Sequence, residues 1–533
     1  MTKRIFPLIF AFSFIFCLST ALFAQPELDI SLGGTGKVVT SFTNWATSYK
    51  PLVQPDNKII AVGIWNSPQP SSGSYFALVR YNTDGSVDTS FGDQGRVFTD
   101  FHVASWAIQG AWTAALQPDG KILAAGYASI NHPGDSFYAM ARYNTNGSLD
   151  QTFGTGGKVV TQIQTGQHEA YAIAIGPDGK IVLAGSFFAT QTTQTLVARY
   201  NADGSLDTTF GGDGTVIDFR GFTPGDANTA RAVAIQPDGK IVIGGSFGRE
   251  PTVSGYDITF ARLNTNGTYD NTFGDQGRLL IPSPQISEGI NAIVLQPDGR
   301  ILAAGYSSPN NVFLVMRLLE NGAQDITFSD DGRMTVPMGG AGANDLTLRP
   351  NGKILVTGQA GFSLVSCNTD GTLDTSFSGD GKLTFGFEGT FSSGSYGLAI
   401  DGLGRPVLSG AAGTNFGAAR LYTPDPVPVT VTGRTLTQSG QPLRGVTVKM
   451  TDSLGQTFQT TTSSLGYYQL SVMSGQTYAV NASQKRYRFQ PAVVPVNESI
   501  NDVDLIGQSS EDGLTGRQFR SKQAERYINS SGL

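Results

Sequence analysis

The sequence has 533 residues, of which 39% are hydrophobic and only 15% are charged, so it can form more than one packed domain and is not a disordered chain. A net charge of −6 without a cluster of basic residues argues against a nucleic-acid-binding protein. The 67 glycines, together with the low charge, are typical of short strands joined by tight turns.

The N-terminus has the features of a secretory signal peptide at residues 1–24. Lys3 and Arg4 precede the apolar stretch IFPLIFAFSFIFC, and small residues follow it. We predict cleavage after Ala24, with Ala21 as the alternative. The mature chain would then be secreted, periplasmic or at the cell surface, without a membrane span. An uncleaved anchor stays open, because the stretch nearly reaches the ~20 residues that a span needs.

A tight-turn motif recurs seven times along most of the remaining chain. Each copy lies between two apolar segments, a third apolar segment follows, and an Asp-Gly or Asn-Gly turn then leads to a final short segment. Such turns are typical of hairpins, because their central residues must adopt positive φ. One repeat is therefore predicted to contain four strands, called a, b, c and d. The copies are PDNK, PDGK, PDGK, PDGK, PDGR, PNGK and GLGR, beginning at Pro55, Pro118, Pro177, Pro237, Pro297, Pro350 and Gly402.

Seven such units predict an all-β, seven-bladed β-propeller at residues 25–423, with an open solenoid as the alternative. The segment ELDISLGGTGKVV from Glu27 matches SLDTTFGGDGTVI from Ser205, which contains a strand d. The seventh repeat instead continues as LYTPDPVPV from Leu421, without a strand d of its own. We predict that the N-terminal strand completes the last blade, since ring closure removes two exposed sheet edges.

These repeats, from Leu28 to Tyr422, resemble the delta-60 repeat found in tandem in bacterial exported proteins. Their strand pattern is also similar to NHL-type propeller repeats. The resemblance implies a propeller-like repeat protein and no particular reaction.

Aspartate, arginine and phenylalanine recur at fixed positions of the repeat. A residue required in every blade is expected to be architectural, because an active site usually occurs once. We predict that each aspartate, in strand d, accepts hydrogen bonds from backbone or from a repeat arginine, and that the phenylalanines fill the gaps between blades. The residues are Asp29, Asp88, Asp150, Asp207, Asp270, Asp325 and Asp374; Arg80, Arg142, Arg199, Arg262, Arg317 and Arg420, with Ser366 in the sixth copy; and Phe91, Phe153, Phe210, Phe273, Phe328 and Phe377.

The pattern Asn-x-Asp-Gly-x-x-Asp also allows a calcium interpretation, because Asn82, Asp84 and Asp88 offer oxygen ligands at alternating positions. Several copies replace the middle aspartate by asparagine, and no bidentate glutamate closes the loop. We therefore predict turns without a cofactor and keep calcium as the alternative. Three histidines without a cysteine pair or a His-x-x-x-His motif argue against zinc.

The two faces of the predicted propeller differ in sequence. The a–b and c–d turns on one face are nearly uniform, whereas the b–c loops and inter-blade connections on the other face vary. Variable loops on a fixed scaffold are where binding usually occurs, and tryptophan is a common anchor. We therefore predict a monomeric protein that binds an extracellular protein or glycan on this variable face, with neutral loop variation as the alternative. The predicted binding residues are Trp45, Trp65, Trp106, His102, His132 and His168.

A propeller enzyme is the competing interpretation, since some NHL-like propellers are lyases or esterases that use histidine and a central metal. His102 and His168 lie in different inter-blade connections and would meet at the channel mouth in such an enzyme. No nucleophile, base and orienting carboxylate occur together in the sequence, so we expect no catalysis.

A proline-rich linker at residues 424–430 leads to a segment, 431–508, in which apolar and polar residues alternate between Gly and Ser turns. This pattern predicts a small β-sandwich. Its glycine motifs, with Gly433, GQPL, GV, GYY and G-x-x-Y, resemble the noncatalytic carboxypeptidase regulatory-like (prealbumin-like) domain, although Thr462-Ser463-Ser464-Leu465-Gly466 lacks the Asp that the family often has there. The resemblance implies a carbohydrate-binding or spacer module. The tail at 509–533 is predicted to be polar and mobile.

Overall fold

The computed structural model of the chain describes residues 27–68, 73–101, 107–129, 134–189, 192–217, 227–248, 255–284, 286–309, 311–340, 342–390, 392–422, 428–452, 456–473, 476–496 and 499–509. The predicted signal peptide and all but the first residue of the predicted tail fall outside these ranges. Every regular element within them is a β-strand. In the same ranges, no helix is long and apolar enough to cross a membrane.

The strands follow one another in repeated sets. The N-terminal pair is β1 (Glu27–Leu28) and β2 (Lys37–Thr40). Six sets of four come next: β3 (Ala46–Val53), β4 (Ile59–Asn66), β5 (Ser74–Tyr81), β6 (Arg96–Thr99); β7 (Gln109–Leu116), β8 (Ile122–Ser129), β9 (Ser136–Tyr143), β10 (Lys158–Thr161); β11 (Gln167–Ile175), β12 (Ile181–Ala189), β13 (Thr192–Tyr200), β14 (Thr215–Ile217); β15 (Ala227–Ile235), β16 (Ile241–Gly248), β17 (Tyr256–Leu263), β18 (Arg278–Ile281); β19 (Glu288–Leu295), β20 (Ile301–Ser307), β21 (Val312–Leu318), β22 (Arg333–Val336); β23 (Ala343–Leu348), β24 (Ile354–Gly358), β25 (Phe362–Cys367), β26 (Lys382–Phe385). The last set has three strands, β27 (Ser393–Ile400), β28 (Pro406–Ala412) and β29 (Asn415–Tyr422).

Each set forms an antiparallel sheet in the order a, b, c, d, and neighbouring strands a contact one another around a ring. The contacts run from β3 through β7, β11, β15, β19, β23 and β27, and back to β3. The strands a therefore surround a central channel and the sheets radiate from it. Within the described residues, the chain forms a closed β-propeller of seven sheets.

The last sheet is completed by the N-terminal strands, as predicted. Both β1 and β2 pair antiparallel with β29, with Glu27 opposite Tyr422 and Lys37 opposite Ala419. The first strands of the propeller thereby supply the outer strand of its last blade, so β29 is not left as an unpaired edge strand at the join.

The outer strands begin later in the repeat than the sequence pattern indicated. In the first blade, Val87 makes a single bridge to Tyr81, and β6 pairs with β5 only from Arg96. Asp88 prevents an earlier strand, because its Oδ1 accepts hydrogen bonds from the N–H and O–H of Ser90 and so forms a turn. The placement of the repeat aspartates in strand d is therefore wrong, and they lie in the c–d connection.

A repeated polar network joins each c–d connection to the neighbouring blade. In the first blade, Asp88 Oδ2 accepts hydrogen bonds from Arg80 Nε and Lys58 Nζ, both at 2.8 Å. Arg80 Nη1 donates to the carbonyl of Thr145 in the second blade at 2.5 Å, and its guanidinium lies 4.5 Å from the centroid of the Phe91 ring. The predicted architectural role of the repeat aspartates and arginines is confirmed. The equivalent pairs are Arg142–Asp150, Arg199–Asp207, Arg262–Asp270, Arg317–Asp325 and Arg420–Asp29.

The repeat phenylalanines are buried between blades, as predicted. The ring of Phe91 packs against Gly147 in the c–d turn of the second blade, where an added Cβ would lie 2.9 Å from it. Gly147 also has a φ of 86°, a conformation that other residues rarely adopt. The Asn-Gly turn is therefore required both by its backbone and by the phenylalanine of the preceding blade.

The remaining strands form a β-sandwich. They are β30 (Pro428–Thr437), β31 (Thr447–Thr451), β32 (Thr457–Thr461), β33 (Tyr467–Met473), β34 (Gln476–Ser483), β35 (Tyr487–Phe489), β36 (Ala492–Val496) and β37 (Leu505–Ser509). One sheet has the order β33-β30-β37-β35 and the other β32-β31-β34-β36. Val431, Val448 and Tyr478 belong to the buried core that the two sheets share. The predicted sandwich is confirmed as a fold.

Candidate ligand-binding site at the channel mouth

Every strand a carries a β-bulge near its centre. A bulged residue has no partner on strand b, so its side chain is redirected relative to its neighbours. Strand a is the innermost strand, and these side chains therefore line the channel. Arg231 is exposed and the other six are half-buried, in strands that are otherwise mostly apolar. The bulged residues are Tyr49, Trp112, Tyr171, Arg231, Asn291, Asn344 and Tyr396.

Aromatic side chains from three adjacent blades meet on one side of the channel. The Tyr49 ring centroid lies 4.6 Å from that of Trp112 and 5.0 Å from that of Tyr396. Tyr127 stacks on Trp112 with a centroid distance of 5.8 Å. We call these four residues the inner aromatic group.

The inner aromatic group offers hydrogen-bond donors as well as apolar surface. The Nε1 atom of Trp112 is buried and has no hydrogen-bond partner among the described residues. Burial raises the pKa of Tyr127 to about 12 and also raises the pKa of Tyr49 and Tyr396, so their hydroxyl groups are neutral at physiological pH. A ligand at this position would meet aromatic rings together with neutral hydroxyl groups.

The other side of the channel is polar. The two bulged asparagines bridge neighbouring blades, since Asn291 Nδ2 donates to the carbonyl of Ala343 and Asn344 Nδ2 to that of Ser395, each at 2.8 Å. These two side chains therefore help to hold the ring together.

A cavity of about 330 Å³, the blade 3–4 pocket, lies next to this polar side. Its walls come from the start of strand a, the end of strand b and the start of strand c of the third blade, together with strand a of the fourth. These strand ends adjoin the b–c loop, so the pocket opens on the variable face. A parallel bridge between Thr193 and Ala227 joins the two blades beside it. The lining residues are Gln167, Glu169, Tyr171, Ser186, Phe188, Thr193 and Thr229.

Three of the residues predicted to bind a ligand, Trp45, Trp65 and His168, lie within the described ranges. Trp45 is 37% exposed. Trp65 is half-buried between Tyr75 and Phe98, with centroid distances of 5.7 and 4.4 Å. Phe98 belongs to the outer strand β6, so this tryptophan packs towards the outside of the first blade. Trp106, His102 and His132 lie outside the described residues.

His168 does not contribute to an exposed face, because it is fully buried in β11. Its Nδ1 lies 2.6 Å from the carbonyl oxygen of Ser136, and its ring stacks on Phe187 at 4.6 Å. Burial lowers the pKa of His168, so the imidazole is neutral at physiological pH. Other blades place buried Gln109 and Glu288 at the same position of strand a. This position of strand a therefore holds a buried polar side chain that connects strands, and not a ligand-binding group.

The carboxylates of the calcium interpretation have protein partners. Asp84 Oδ1 accepts hydrogen bonds from the N–H and O–H of Ser86 at 2.9 and 2.6 Å, and Asp88 binds Arg80 and Lys58 as described above. Across the ranges given above, no three His, Cys, Asp or Glu side chains form a group suited to a metal ion.

The inner aromatic group was not predicted from the sequence, although the sequence contains a pattern that marks these positions. Each apolar segment before a Pro-Asp-Gly turn contains one large or polar residue at the same place, as in AYAIAI from Ala170. Recognising it as channel-lining requires the register between strands a and b, because a bulge is defined by cross-strand pairing.

Six segments of the chain match a family model described as "Domain of unknown function (DUF5122) beta-propeller". They cover residues 54–91, 117–153, 176–210, 236–273, 296–328 and 349–377, each from the start of an a–b turn to the repeat phenylalanine. These segments are β-propeller repeats. The family description assigns no function.

No curated protein matches the chain. Among solved structures, it is similar to a catalytically inactive virginiamycin B lyase from Staphylococcus aureus with quinupristin, at 12% identity and a TM-score of 0.43, over 72% of this chain and 98% of that one. It is also similar to the polysaccharide lyase Uly1, at 12% identity and a TM-score of 0.42, over 70% and 90%. A third structure is PorZ, a surface component of the type-IX secretion system of Porphyromonas gingivalis. The similarity has 12% identity and a TM-score of 0.37, and it covers 82% of this chain and 57% of that one. None of these similarities indicates an activity for this chain.

Proposed function

We propose that this protein is an exported, noncatalytic binding scaffold that recognises an extracellular glycan or protein at the channel mouth on its variable face. The observation that carries the proposal is the inner aromatic group. Half-buried tryptophan and tyrosine side chains are frequent anchors of binding sites, because they combine a large apolar area with a polar group.

A comparison with other tyrosines supports a binding role. Tyr143 and Tyr200 lie between blades, are fully buried and bond the hydroxyl groups of Thr99 and Thr161. These tyrosines fill the interior and satisfy their own hydroxyls. The inner aromatic group is instead only half-buried and has an indole N–H without a protein partner. Such a cluster has aromatic surface left for a ligand, and its unpaired indole N–H is not satisfied by the protein.

The noncatalytic part of the proposal rests on the chemistry of the described side chains. The raised pKa values of the tyrosines disfavour a phenolate base, and His168 is buried and engaged with a backbone carbonyl. The competing function is a lyase or hydrolase with a site at the channel mouth near His102 and His168. It would need another base than His168.

Export and the second domain complete the proposal. The apolar N-terminal stretch with its preceding Lys3 and Arg4 supports a signal peptide. The resemblance to delta-60 repeats and to carboxypeptidase regulatory-like domains supports an extracellular protein whose sandwich is a spacer or a second binding module.

The test uses the chain from residue 25 on a glycan array and in pull-downs from extracellular protein fractions. We expect a specific ligand whose binding is lost in Trp112→Leu, while Phe98→Ala, at a distant exposed aromatic ring, retains it. Thermal unfolding monitors the fold of both variants. Retained binding by a folded Trp112→Leu variant, or turnover of the bound ligand into products, would overturn the proposal.

A further inference from the structure

We propose that the blade 3–4 pocket binds one uncharged sugar residue of a glycan. This inference rests on the proposed binding function and specifies the ligand class and the residues that select it. Four observations carry the inference: the hydroxyl-rich lining, one carboxylate held by a tyrosine, one exposed phenyl ring, and the size of the cavity.

The lining is rich in groups that exchange hydrogen bonds with hydroxyls. Thr193 and Thr229 each provide a half-buried hydroxyl, Ser186 provides a buried hydroxyl that also bonds Tyr171, and Gln167 provides an amide that also donates to the carbonyl of Gly134 at 3.5 Å. Such groups both donate and accept, as the hydroxyls of a sugar do. None of the lining residues is a lysine, arginine or histidine, and the nearby exposed Arg231 lies against the Tyr171 ring without being part of the lining.

Glu169 is oriented inside this lining by Tyr171. The Tyr171 hydroxyl donates to Glu169 Oε2 at 2.5 Å, and the guanidinium of Arg231 lies 4.7 Å from the centroid of the same tyrosine ring. Within the described ranges, Glu169 Oε1 has no protein donor, so it remains available to accept a hydrogen bond from a sugar hydroxyl. A carboxylate fixed in this way favours neutral polyols and repels uronates or sulfated sugars.

Phe188 supplies an apolar surface at the rim. Its side chain is 43% exposed, and it lines the pocket beside the hydroxyl groups. The C–H face of a pyranose ring is apolar and packs on aromatic rings. A phenyl ring next to hydroxyls and a carboxylate therefore matches the two-sided chemistry of a sugar.

The size of the pocket limits what it holds. A cavity of about 330 Å³ is near the lower end of the ~300–1,000 Å³ range of small-molecule sites. It accommodates a single sugar ring, with the rest of the glycan extending along the variable face towards the inner aromatic group. A polypeptide segment would require a longer groove.

The experiment measures glycan binding of the chain from residue 25 by array and then by calorimetry. The probes are neutral glucans, mannans, galactans and xylans, uronate-containing polysaccharides, and chitosan as a source of amines. Two variants address the pocket, Phe188→Ala and Glu169→Gln. Their matched controls are Phe98→Ala, at a similarly exposed ring, and Glu320→Gln, at an exposed turn.

We expect binding to a neutral glycan, a Kd raised about tenfold or more in each pocket variant, and control variants within about twofold of the parent protein. A midpoint temperature of thermal unfolding equal to that of the parent protein shows that a variant is folded. Unchanged affinity in folded pocket variants overturns the inference, and so does binding to uronates or chitosan alone.

The same experiment separates this inference from the proposed function. If Trp112→Leu abolishes binding while both pocket variants bind normally, the channel mouth is the site and the pocket assignment is wrong. If the parent protein binds neither glycans nor extracellular proteins, the proposed function itself fails.

Discussion

Arg420 donates a hydrogen bond from Nε to Asp29 Oδ2 over 2.8 Å, although the two residues are 391 positions apart in the chain. In other blades the same pair is made by residues eight positions apart, such as Arg80 and Asp88. The N-terminal segment thus delivers to the last blade the aspartate that a c–d connection would otherwise supply. The pair is buried at the join of the ring.

Removal of this aspartate is expected to weaken ring closure. Asp29→Ala leaves the guanidinium of Arg420, which is 1% exposed, without its carboxylate, and uncompensated buried charges typically cost about 3–5 kcal/mol. Arg405 Nη1 also loses its bond to Asp29. The free energy of unfolding in urea measures the effect, with Asp84→Ala in an exposed turn as the control. Equal stability of the two variants would show that the join does not depend on this pair.

The stability of the propeller is expected to fall in acid. For Asp270, burial alone would raise the pKa, but hydrogen bonds from Thr272 and the charge of Arg262 outweigh it and lower the pKa to about 2. For Asp88, burial also raises the pKa, but hydrogen bonds from Lys58 and the Ser90 hydroxyl outweigh it. The pKa of Asp88 is therefore also well below the ordinary value.

A lowered pKa in the folded state means that the carboxylate stabilises the fold above the unfolded value of about 3.9, and that this contribution is lost as the pH falls towards the folded value. We therefore expect the free energy of unfolding to decrease progressively from about pH 4 to pH 2. Urea titrations at pH 7, 4, 3 and 2, followed by tryptophan fluorescence, measure it. Constant stability over this interval would contradict the assigned ion pairs.

A second long-range ion pair ties three blades together at the channel. Lys50 Nζ lies 2.5 Å from Asp345 Oδ2, and the same oxygen accepts the backbone N–H of Leu398 at 2.9 Å. These residues belong to strands a of the first, sixth and seventh blades. Lys50→Met is expected to cost about 1–2 kcal/mol, because the buried carboxylate keeps its backbone donors but loses its cation. Lys449→Met, in the sandwich, is the control, and the free energy of unfolding in urea is measured for both variants. Equally small changes in both would show that Lys50 has no role in closing the ring.

The sixth blade has Ser366 at the position of the repeat arginine, and the way in which the ring closes explains this difference. In the other blades, Nη1 or Nη2 of this arginine donates to a carbonyl in the c–d turn of the next blade, as Arg317 does to Thr369. The seventh blade has no such turn, because its outer strand comes from the other end of the propeller. Ser366 instead bonds Asp374 at 2.9 Å, and the buried Arg349 places a positive charge near that carboxylate.

Ser366→Arg is therefore expected to destabilise the propeller, although it restores the consensus of the repeat. The introduced side chain would overfill a buried position and meet the charge of Arg349, at a cost of about 1–3 kcal/mol. Urea unfolding compares it with Ser366→Ala, which removes one hydrogen bond. A stabilising effect of Ser366→Arg would mean that the seventh blade does offer an acceptor.

The parts of the fold that were predictable from sequence depend on local chemistry. Tight turns need particular residues, such as Gly147, and the pairing of Asp88 with Arg80 repeats with each copy, so both leave a periodic trace. The outer strands were misplaced because Asp88 forms a turn with Ser90 where the pattern suggested an extended segment.

The candidate site was less predictable, because it depends on cross-strand register. Trp112 and Tyr171 occupy bulges that only the pairing of strands a and b reveals. His168 attracted attention as one of three histidines, yet its position is equivalent to Gln109 and Glu288 and faces the interior. The position of a residue in the repeat thus predicted its role better than the rarity of its residue type.

The pairing of the first strands with the last blade also delays closure of the ring until the last blade has formed. Glu27 pairs with Tyr422, so the closing strands lack their partner strand while the earlier blades fold. During that time β1 and β2 are unpaired edges. They have only two and four residues, and so short an edge is a poor template for pairing with another chain. The brevity of the closing strands thus protects the nascent chain until its ring can close.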